Sequence, residues 1–566
     1  MPNPIIDPSA RALCRARGRA DAKFTARMKH TGGGFDVYLA QSKGKQLPLS
    51  ISRYVRLATL SFVLMAGCFE ALGQGTHWNQ FRGPTGDGIG HAQDLPLEFN
   101  ETTNLRWKTA IHDEGWSSPV VWGDRIWLTT AREDGSELFA LCIDLNTGKI
   151  IHDIKVFDEP NPQVQYGGNN THATPTPILE EGRAYIHFGS YGTACLDTRT
   201  GEKLWENREL KCDHRVRPAS SPIIDGNSLF LTFDGIDVQF VASLDKNTGE
   251  VQWITHRAGH KNFGDTLKAE GFSDTESART SKQKPNDNRK SYSTPTIIEY
   301  QGKKQLISPG AEVTYSYDPE TGDENWHVTH DGWGWNVASR PVFANDLVYL
   351  TMGISRRLVA VRPSGSGDVT ETHIAWSADG RVPEISSPIV VGDLLFMVVD
   401  RGGSVYCLEA DTGEQIWRER FPGGGTFWGS PVYADGKIYI ASTKGNVYVF
   451  AAAREFELLA VNEFNSSDTK QAASPAKVAP TSVEQIKDML KAKGMSETDA
   501  QEFIEGARAK DISDFEIAAL VKGGGKITKG DASGRESGVR FIASPAIAGD
   551  SIILRSETHL YCISKS

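Results

Sequence analysis

Short runs of alternating apolar and polar residues, separated by Gly, Asp and Asn, recur along most of this chain. Examples are SSPVVWGDRIWL from Ser117, SSPIIDGNSLFL from Ser220, SSPIVVGDLLFM from Ser386 and GSPVYADGKIYI from Gly429. Each run starts after Ser/Thr-Pro, alternates up to a Gly-Asp or Asp-Gly turn and continues into a second β-rich stretch such as Lys437-Ile438-Tyr439-Ile440, which predicts a hairpin. A third strand such as SVYCLEA (Ser404 to Ala410) enters an Asp-x-x-Thr-Gly turn, where Gly supplies the positive φ and Asp caps the turn. A fourth strand then carries a Trp: LDTRTGEKLW (Gly201, Trp205), LDKNTGEVQW (Gly249, Trp253), YDPETGDENW (Gly322, Trp326) and LEADTGEQIW (Gly413, Trp417).

A unit of four short strands repeated at about 45 residues is the pattern of a propeller blade. The Ser/Thr-Pro starts fall at Pro119, Pro177, Pro222, Pro295, Pro388, Pro431 and Pro545, with Ser339-Arg340-Pro341 as a variant, so the chain is expected to hold eight blades. The last unit ends at HLYCISKS without a Trp strand, and Leu105-Arg106-Trp107-Lys108 is a Trp strand without a blade before it. Pairing the two ends closes the ring and removes its exposed sheet edges. The predicted fold is therefore all-β: an eight-bladed β-propeller of four-stranded antiparallel blades, closed by N- and C-terminal strands. Trp107, Trp205, Trp253, Trp326 and Trp417 are expected to be buried between blades, each over the turn of its own repeat.

The repeat resembles that of the pyrroloquinoline quinone (PQQ) enzyme-like propellers, from Trp78 to Ile563. In character it is similar to the non-enzymatic group that includes the lipoprotein subunit of the outer-membrane β-barrel assembly machinery. The opening WNQFRGPTGDGIG also resembles the start of secreted planctomycete PQQ-like repeat proteins. The resemblance implies a propeller, but one such scaffold serves dehydrogenases, assembly factors and binding modules alike.

Four segments organise the chain. Residues 1–74 read as a basic leader without a hydrophobic pattern, followed by a secretory signal: Arg53 and Arg56, the apolar run LATLSFVLMAG, then Ala71-Leu72-Gly73. Cys68 follows a lipobox-like Leu64-Met65-Ala66-Gly67 and is a candidate for lipidation and membrane anchoring. Residues 75–464 hold the closing strand and blades 1–7, and residues 537–566 hold blade 8. Between them, residues 465–536 form a Ser/Ala/Pro linker and a small helical insertion of three amphipathic helices, with capping pairs Thr481/Glu484, Ser496/Asp499 and Ser513/Glu516. A polar loop from about Thr255 to Lys290 separates blades 3 and 4.

The residues ahead of each Ser/Thr-Pro enter the innermost strand and are expected to ring one mouth of the central channel. They are Trp116, His172, Arg217, Tyr292, Trp335, Asn336, Arg340, Glu384, Trp428 and Arg540. Aromatic residues with Arg on a concave rim suit ligand binding, and Arg340 is expected to reach the axis and hold an anionic group. A quinone enzyme of the kind resembled stacks PQQ between a Trp and an adjacent Cys pair and holds calcium with Glu, Asn and Asp. This chain has no adjacent Cys pair, offers only Glu384 and Asn336 as calcium ligands, and places no Asp on the rim to serve as base. Cys142, Cys195, Cys407 and Cys562 fall on third strands and read as buried thiols, and Cys195 with Cys212 is a conceivable disulfide. The net charge of −10 argues against a nucleic-acid partner.

The resulting expectation is an exported monomer, periplasmic or envelope-associated. It would act as a binding or assembly scaffold for an envelope protein, a peptide or a small anionic or carbohydrate ligand, with no catalytic residue, metal or cofactor assigned. The alternative is a PQQ- and calcium-dependent quinoprotein dehydrogenase oxidising an alcohol or sugar.

Overall fold

The computed structural model describes residues 24–31, 34–41, 77–163, 170–257, 289–329, 336–353, 356–380, 382–464, 487–488, 490–491, 496–509 and 539–565. The chain divides into two compact units, Met1–Ala71 and Leu72–Ser566. In the first, Phe24–Thr31 pairs antiparallel with Gly34–Gln41. The proposed signal run and Cys68 lie outside the described residues.

The second unit is an eight-bladed β-propeller of antiparallel sheets. Blades 1–7 span residues 120–158, 178–207, 223–256, 296–329, 342–379, 389–420 and 432–463. Blade 8 combines Ala546–Ala548, Ser551–Arg555 and His559–Ser564 with the N-terminal strand Leu105–Ala110. Trp107 sits opposite Cys562 in that pairing, so the two ends of the repeat close one sheet. Blade 4 gains a fifth strand, because Gly367–Asp368 from blade 5 pairs in parallel with Trp326 and His327.

The eight-fold repeat is tied together at two radii. Near the axis, the residue before Pro in seven of the eight blades links neighbouring blades: its backbone N–H donates to the hydroxyl of the next blade's Ser or Thr. The links run Ser118 to Thr176, Thr176 to Ser221, Ser221 to Thr294, Arg340 to Ser387, Ser387 to Ser430, Ser430 to Ser544 and Ser544 to Ser118, at 2.8–3.2 Å. This belt gives the Ser/Thr-Pro motif its physical reason: Pro sets the extended entry and has no N–H of its own, while the hydroxyl accepts an otherwise unpaired buried donor. The belt lacks a hydroxyl only at blade 5, where Arg340 replaces Ser/Thr.

At the outer radius the Trp residues lock blades together, and the expected register needs correction. The Trp of one blade packs on the turn of the next blade, not its own. Trp107 Nε1 donates to the Leu145 carbonyl, Trp205 to Lys246, Trp253 to Pro319 and Trp417 to Ala453. Trp376, unrecognised in the sequence, does the same to Ala410. Turn glycines make room for the rings: a Cβ on Gly249, at φ +77°, would lie 2.5 Å from Trp205. Trp326 is the exception, and the reason is local. Blade 5 has no Asp-x-x-Thr-Gly turn to receive it, so Trp326 is buried in a core cluster shared by blades 4 and 5 and its indole N–H bonds Gln305 of its own blade at 2.8 Å. Trp205 is also buried, whereas Trp107, Trp253 and Trp417 are half-buried.

Of the three helices expected between blades 7 and 8, Glu497–Ala509 is present, capped by Ser496, which accepts from the Asp499 N–H at 3.2 Å. Lys487, Asp488, Leu490 and Lys491 are helical, the rest of the first expected helix lies outside the described residues, and so does the third. Cys142, Cys195, Cys212, Cys407 and Cys562 are buried free thiols, so the conceivable Cys195–Cys212 disulfide is not formed. No helix among the described residues is long and apolar enough to cross a membrane.

Candidate functional site

Antiparallel blades put their first and third turns on one face, and their second turns and blade-to-blade connections on the other. The channel therefore has two different ends. At the turn face it is crossed by a strap, residues 77–90. Trp78 exchanges both backbone bonds with Val121 of blade 1 at 2.8 Å. The Asn79 carbonyl accepts from Leu179 of blade 2, and Gly88 and Gly90 bond Tyr433 of blade 7. Two buried arginines fasten the strap. Arg82, fully buried, donates to the Pro388 carbonyl at 2.8 Å and to the Asp87 carbonyl. Arg340 donates to the Phe81 carbonyl at 2.5 Å and to the Gln80 side chain at 3.1 Å. Gly86, at φ +76°, is required because any Cβ there would meet the Arg340 guanidinium at 2.3 Å.

This placement corrects the expectation for Arg340. Its guanidinium holds the strap's backbone instead of reaching out for an anion, and its departure from the Ser/Thr belt is explained by that task. Burial lowers Arg340 to about 9 and Arg82 to about 10, values that keep both cationic at neutral pH.

The opposite mouth is reached by the remaining rim residues, and the structure gathers them in separate groups. Trp116 and Trp428, from blades 1 and 7, flank the start of blade 8 with ring centroids 5.7 Å apart and interplanar angle 54°; both are half-buried. Trp116 is held by its N–H on the Ala173 carbonyl, and the adjacent Ser117 by buried Arg555, which donates to the Ser117 carbonyl at 2.8 Å. His172 is buried edge-on against Tyr191 at 5.3 Å, and burial, reinforced by Arg217, pushes it down to about 4. Arg217, at φ +73°, donates to the Asn170 and Glu133 carbonyls. Tyr292 is buried with its hydroxyl on the His214 carbonyl at 3.1 Å. Asn336, at φ +59°, donates its backbone N–H to Lys290, and Arg540 pairs with Glu557 at 3.0 Å. Trp335 lies outside the described residues.

Glu384 has a neighbour that the sequence did not reveal. Asp400, on the second turn of blade 6, accepts the backbone N–H groups of Glu384, Ile385 and Ser386. Burial raises both carboxyls, that of Glu384 further through the Asp400 charge. Asp400 is the Asp missing from the rim pattern, but its oxygens are engaged in positioning the rim backbone.

A calcium-bound quinone needs several converging oxygen ligands. Among the described residues no group of three or more His, Cys, Asp or Glu side chains is placed to hold a metal. Asp400 is committed to three backbone donors and the chain has no adjacent Cys pair, so the open side-chain oxygen of Asn336 is not joined by the other ligands a calcium-bound quinone needs. The described residues do not fit that group.

Comparison with known proteins gives a consistent family and a divided set of relatives. A family model described as outer membrane protein assembly factor BamB matches residues 97–266 and 309–455. A quinoprotein ethanol dehydrogenase of Pseudomonas putida is 32% identical over 162 residues, 26% of this chain and 22% of its own. A quinoprotein alcohol dehydrogenase of the same species is 37% identical over 89 residues, 15% of this chain and 14% of its own. The matched stretches thus span less than a quarter of these relatives. Similar solved structures include a europium-containing methanol dehydrogenase (TM-score 0.49, 11% identity, 69% of this chain and 86% of that one). BamB from Moraxella catarrhalis is another (TM-score 0.46, 11% identity, 81% and 99%).

Proposed function

The chain belongs to the family described as outer membrane protein assembly factor BamB, a PQQ-like repeat propeller family also related to quinoprotein dehydrogenases, and from that premise we propose a binding scaffold of the cell envelope. The observation that carries this reading is the half-exposed Trp116/Trp428 pair at the channel mouth opposite the strap. Two large amphipathic rings anchored by buried neighbours are the usual core of a protein-binding hot spot. Export to the periplasm or envelope belongs to the same proposal, and rests on the apolar run after Arg53 and Arg56.

The ligand proposed for this mouth is an extended segment of an envelope protein with alternating apolar and polar residues, the pattern of strands destined for an outer-membrane barrel. Its apolar side chains would seat against the Trp pair while polar ones face Glu384 and Arg217. The test is fluorescence anisotropy of a labelled peptide of about ten alternating residues. Saturable binding by the full chain, weakened at least tenfold in Trp116→Ala/Trp428→Ala with the melting temperature held, supports the reading. Undiminished binding by that variant, or none by the parent, refutes it.

A further inference from the structure

On the rim of the channel mouth, the carboxylate of half-buried Glu384 makes no ion pair or hydrogen bond among the described residues. Its place is fixed by buried Asp400, on the second turn of blade 6. The Asp400 side chain accepts the backbone N–H groups of Ile385 at 3.0 Å, of Ser386 at 3.1 Å and of Glu384 itself. Its backbone carbonyl accepts the Phe427 N–H at 2.8 Å, and the next residue, Arg401, bridges Thr426.

One turn therefore supports two stretches of rim. Its carboxylate holds residues 384–386, and its backbone holds residues 426–427, which lead directly into Trp428. Glycines keep the second support tight: a Cβ on Gly403, at φ +73°, would lie 3.2 Å from the Gly424 Cα. The open carboxylate of Glu384 and the half-buried ring of Trp428 are thus set from a shared base.

The electrostatics restrict what suits this pair. A carboxylate withdrawn from water loses solvation that an opposite charge restores. Burial raises the Glu384 carboxyl, the charge of Asp400 raises it further, and the exposed Arg356 and Arg401 do not reverse that direction. The rim's own cations thus leave Glu384 short of positive charge. A lysine or arginine side chain suits the place twice, since its stem can lie along an aromatic ring while its head pairs with the carboxylate. An acidic side chain would meet two carboxylates, and a neutral one would leave Glu384 without a counter-charge. We propose, on the basis of the channel-mouth reading, that Glu384 is the specificity-determining residue of this mouth: it reads a lysine or arginine of the bound segment beside the apolar residue seated on Trp428, with Asp400 as its positioning residue.

The experiment is fluorescence anisotropy of the full chain with three labelled peptides of about ten alternating residues, identical except for Lys, Gln or Glu at one central polar position. The parent is expected to bind the Lys peptide about fivefold or more tighter than the Gln peptide, and the Glu peptide most weakly. Glu384→Gln should equalise the Lys and Gln peptides while holding Gln-peptide affinity within about twofold, and Glu384→Lys should invert the order in favour of the Glu peptide. Asp400→Asn alters the side-chain acceptor and keeps the carbonyl that holds Phe427, so it should reduce the Lys preference and spare Gln-peptide affinity, a split that a merely structural role would not give. Should Asp400→Asn lose its cooperative melt, the two variants of half-buried Glu384 decide the matter. Equal affinity for all three peptides, or a Lys preference that survives Glu384→Gln, overturns the role of Glu384 and leaves the mouth standing; an intact preference in folded Asp400→Asn overturns its positioning role. Binding of none of the peptides by the parent overturns the mouth reading and this role with it.

Discussion

At the residue scale, the Trp lock gives the sharpest expectations. Trp205→Ala removes a buried ring and its bond to Lys246, and should lower stability by about 3–5 kcal/mol in urea denaturation. Gly249→Ala, strained at φ +77° and driven into the same ring, should cost more than about 1 kcal/mol. Because the two residues touch across a blade boundary, the double variant should lose less than the sum of the single losses. Strict additivity would show that the turn and ring do not bear on each other. The spacing Gly-x-x-x-Trp was legible in the sequence, but the direction of docking was not, since a periodic chain offers the same turn in its own blade and in the next. Trp376 was missed because its blade replaces the Asp-x-x-Thr-Gly turn with residues 362–373. Asp234 yields a pH expectation of opposite sign to the usual carboxylate. Burial pushes it up to about 6 from 3.8, against the pull of Arg257, so the native state binds the extra proton between those values. Stability contributed by this group is therefore greatest below about 4 and falls as pH rises through about 6. The parent should gain stability relative to Asp234→Asn when thermal denaturation is moved from about pH 7 to about pH 5, and a constant difference would show that Asp234 does not titrate there.

At the scale of elements, the Ser/Thr-Pro entry and the strap are the structures to perturb. Ser387→Ala leaves the Arg340 N–H buried without its acceptor, a loss expected at about 1–3 kcal/mol by denaturant titration. A change within error would mean that water replaces the hydroxyl. Arg340→Ala frees the Phe81 carbonyl and Gln80, so limited proteolysis should then cleave within residues 77–90, while the parent resists. Equal resistance would show that Arg82 alone holds the strap. Arg340 stood out in the sequence as the one cation in a Ser/Thr position, yet its partner lies 259 residues earlier in the chain, which no local pattern reports. The glycines of RGPTGDG were the available signal: Gly83, Gly86 and Gly88 all take positive φ, as a backbone threaded between side chains requires. Asp400 escaped notice for a different reason: it lies only 14–16 residues after the rim backbone it supports, but on the second turn of its blade, a position the repeat pattern does not mark.

At the scale of the whole molecule, ring closure was legible because the two anomalies, a Trp strand without a blade and a blade without a Trp strand, complement each other. Removing residues 558–566 takes away the strand between Leu105–Ala110 and Ser551–Arg555, and should turn a soluble chain into aggregate in light scattering. The mouths were legible only as a list of rim residues. Their grouping into a Trp pair, a His172/Arg217 corner and a Glu384/Asp400 corner depends on side-chain directions that periodicity does not encode. The central claim is that this propeller is a scaffold whose mouth binds protein rather than a quinone. Calorimetry of the full chain tests it in one cell, first with PQQ and calcium, then with the alternating peptide. The account predicts no heat on the first addition and saturable heat on the second; stoichiometric uptake of the quinone, followed by alcohol-dependent dye reduction, would contradict it.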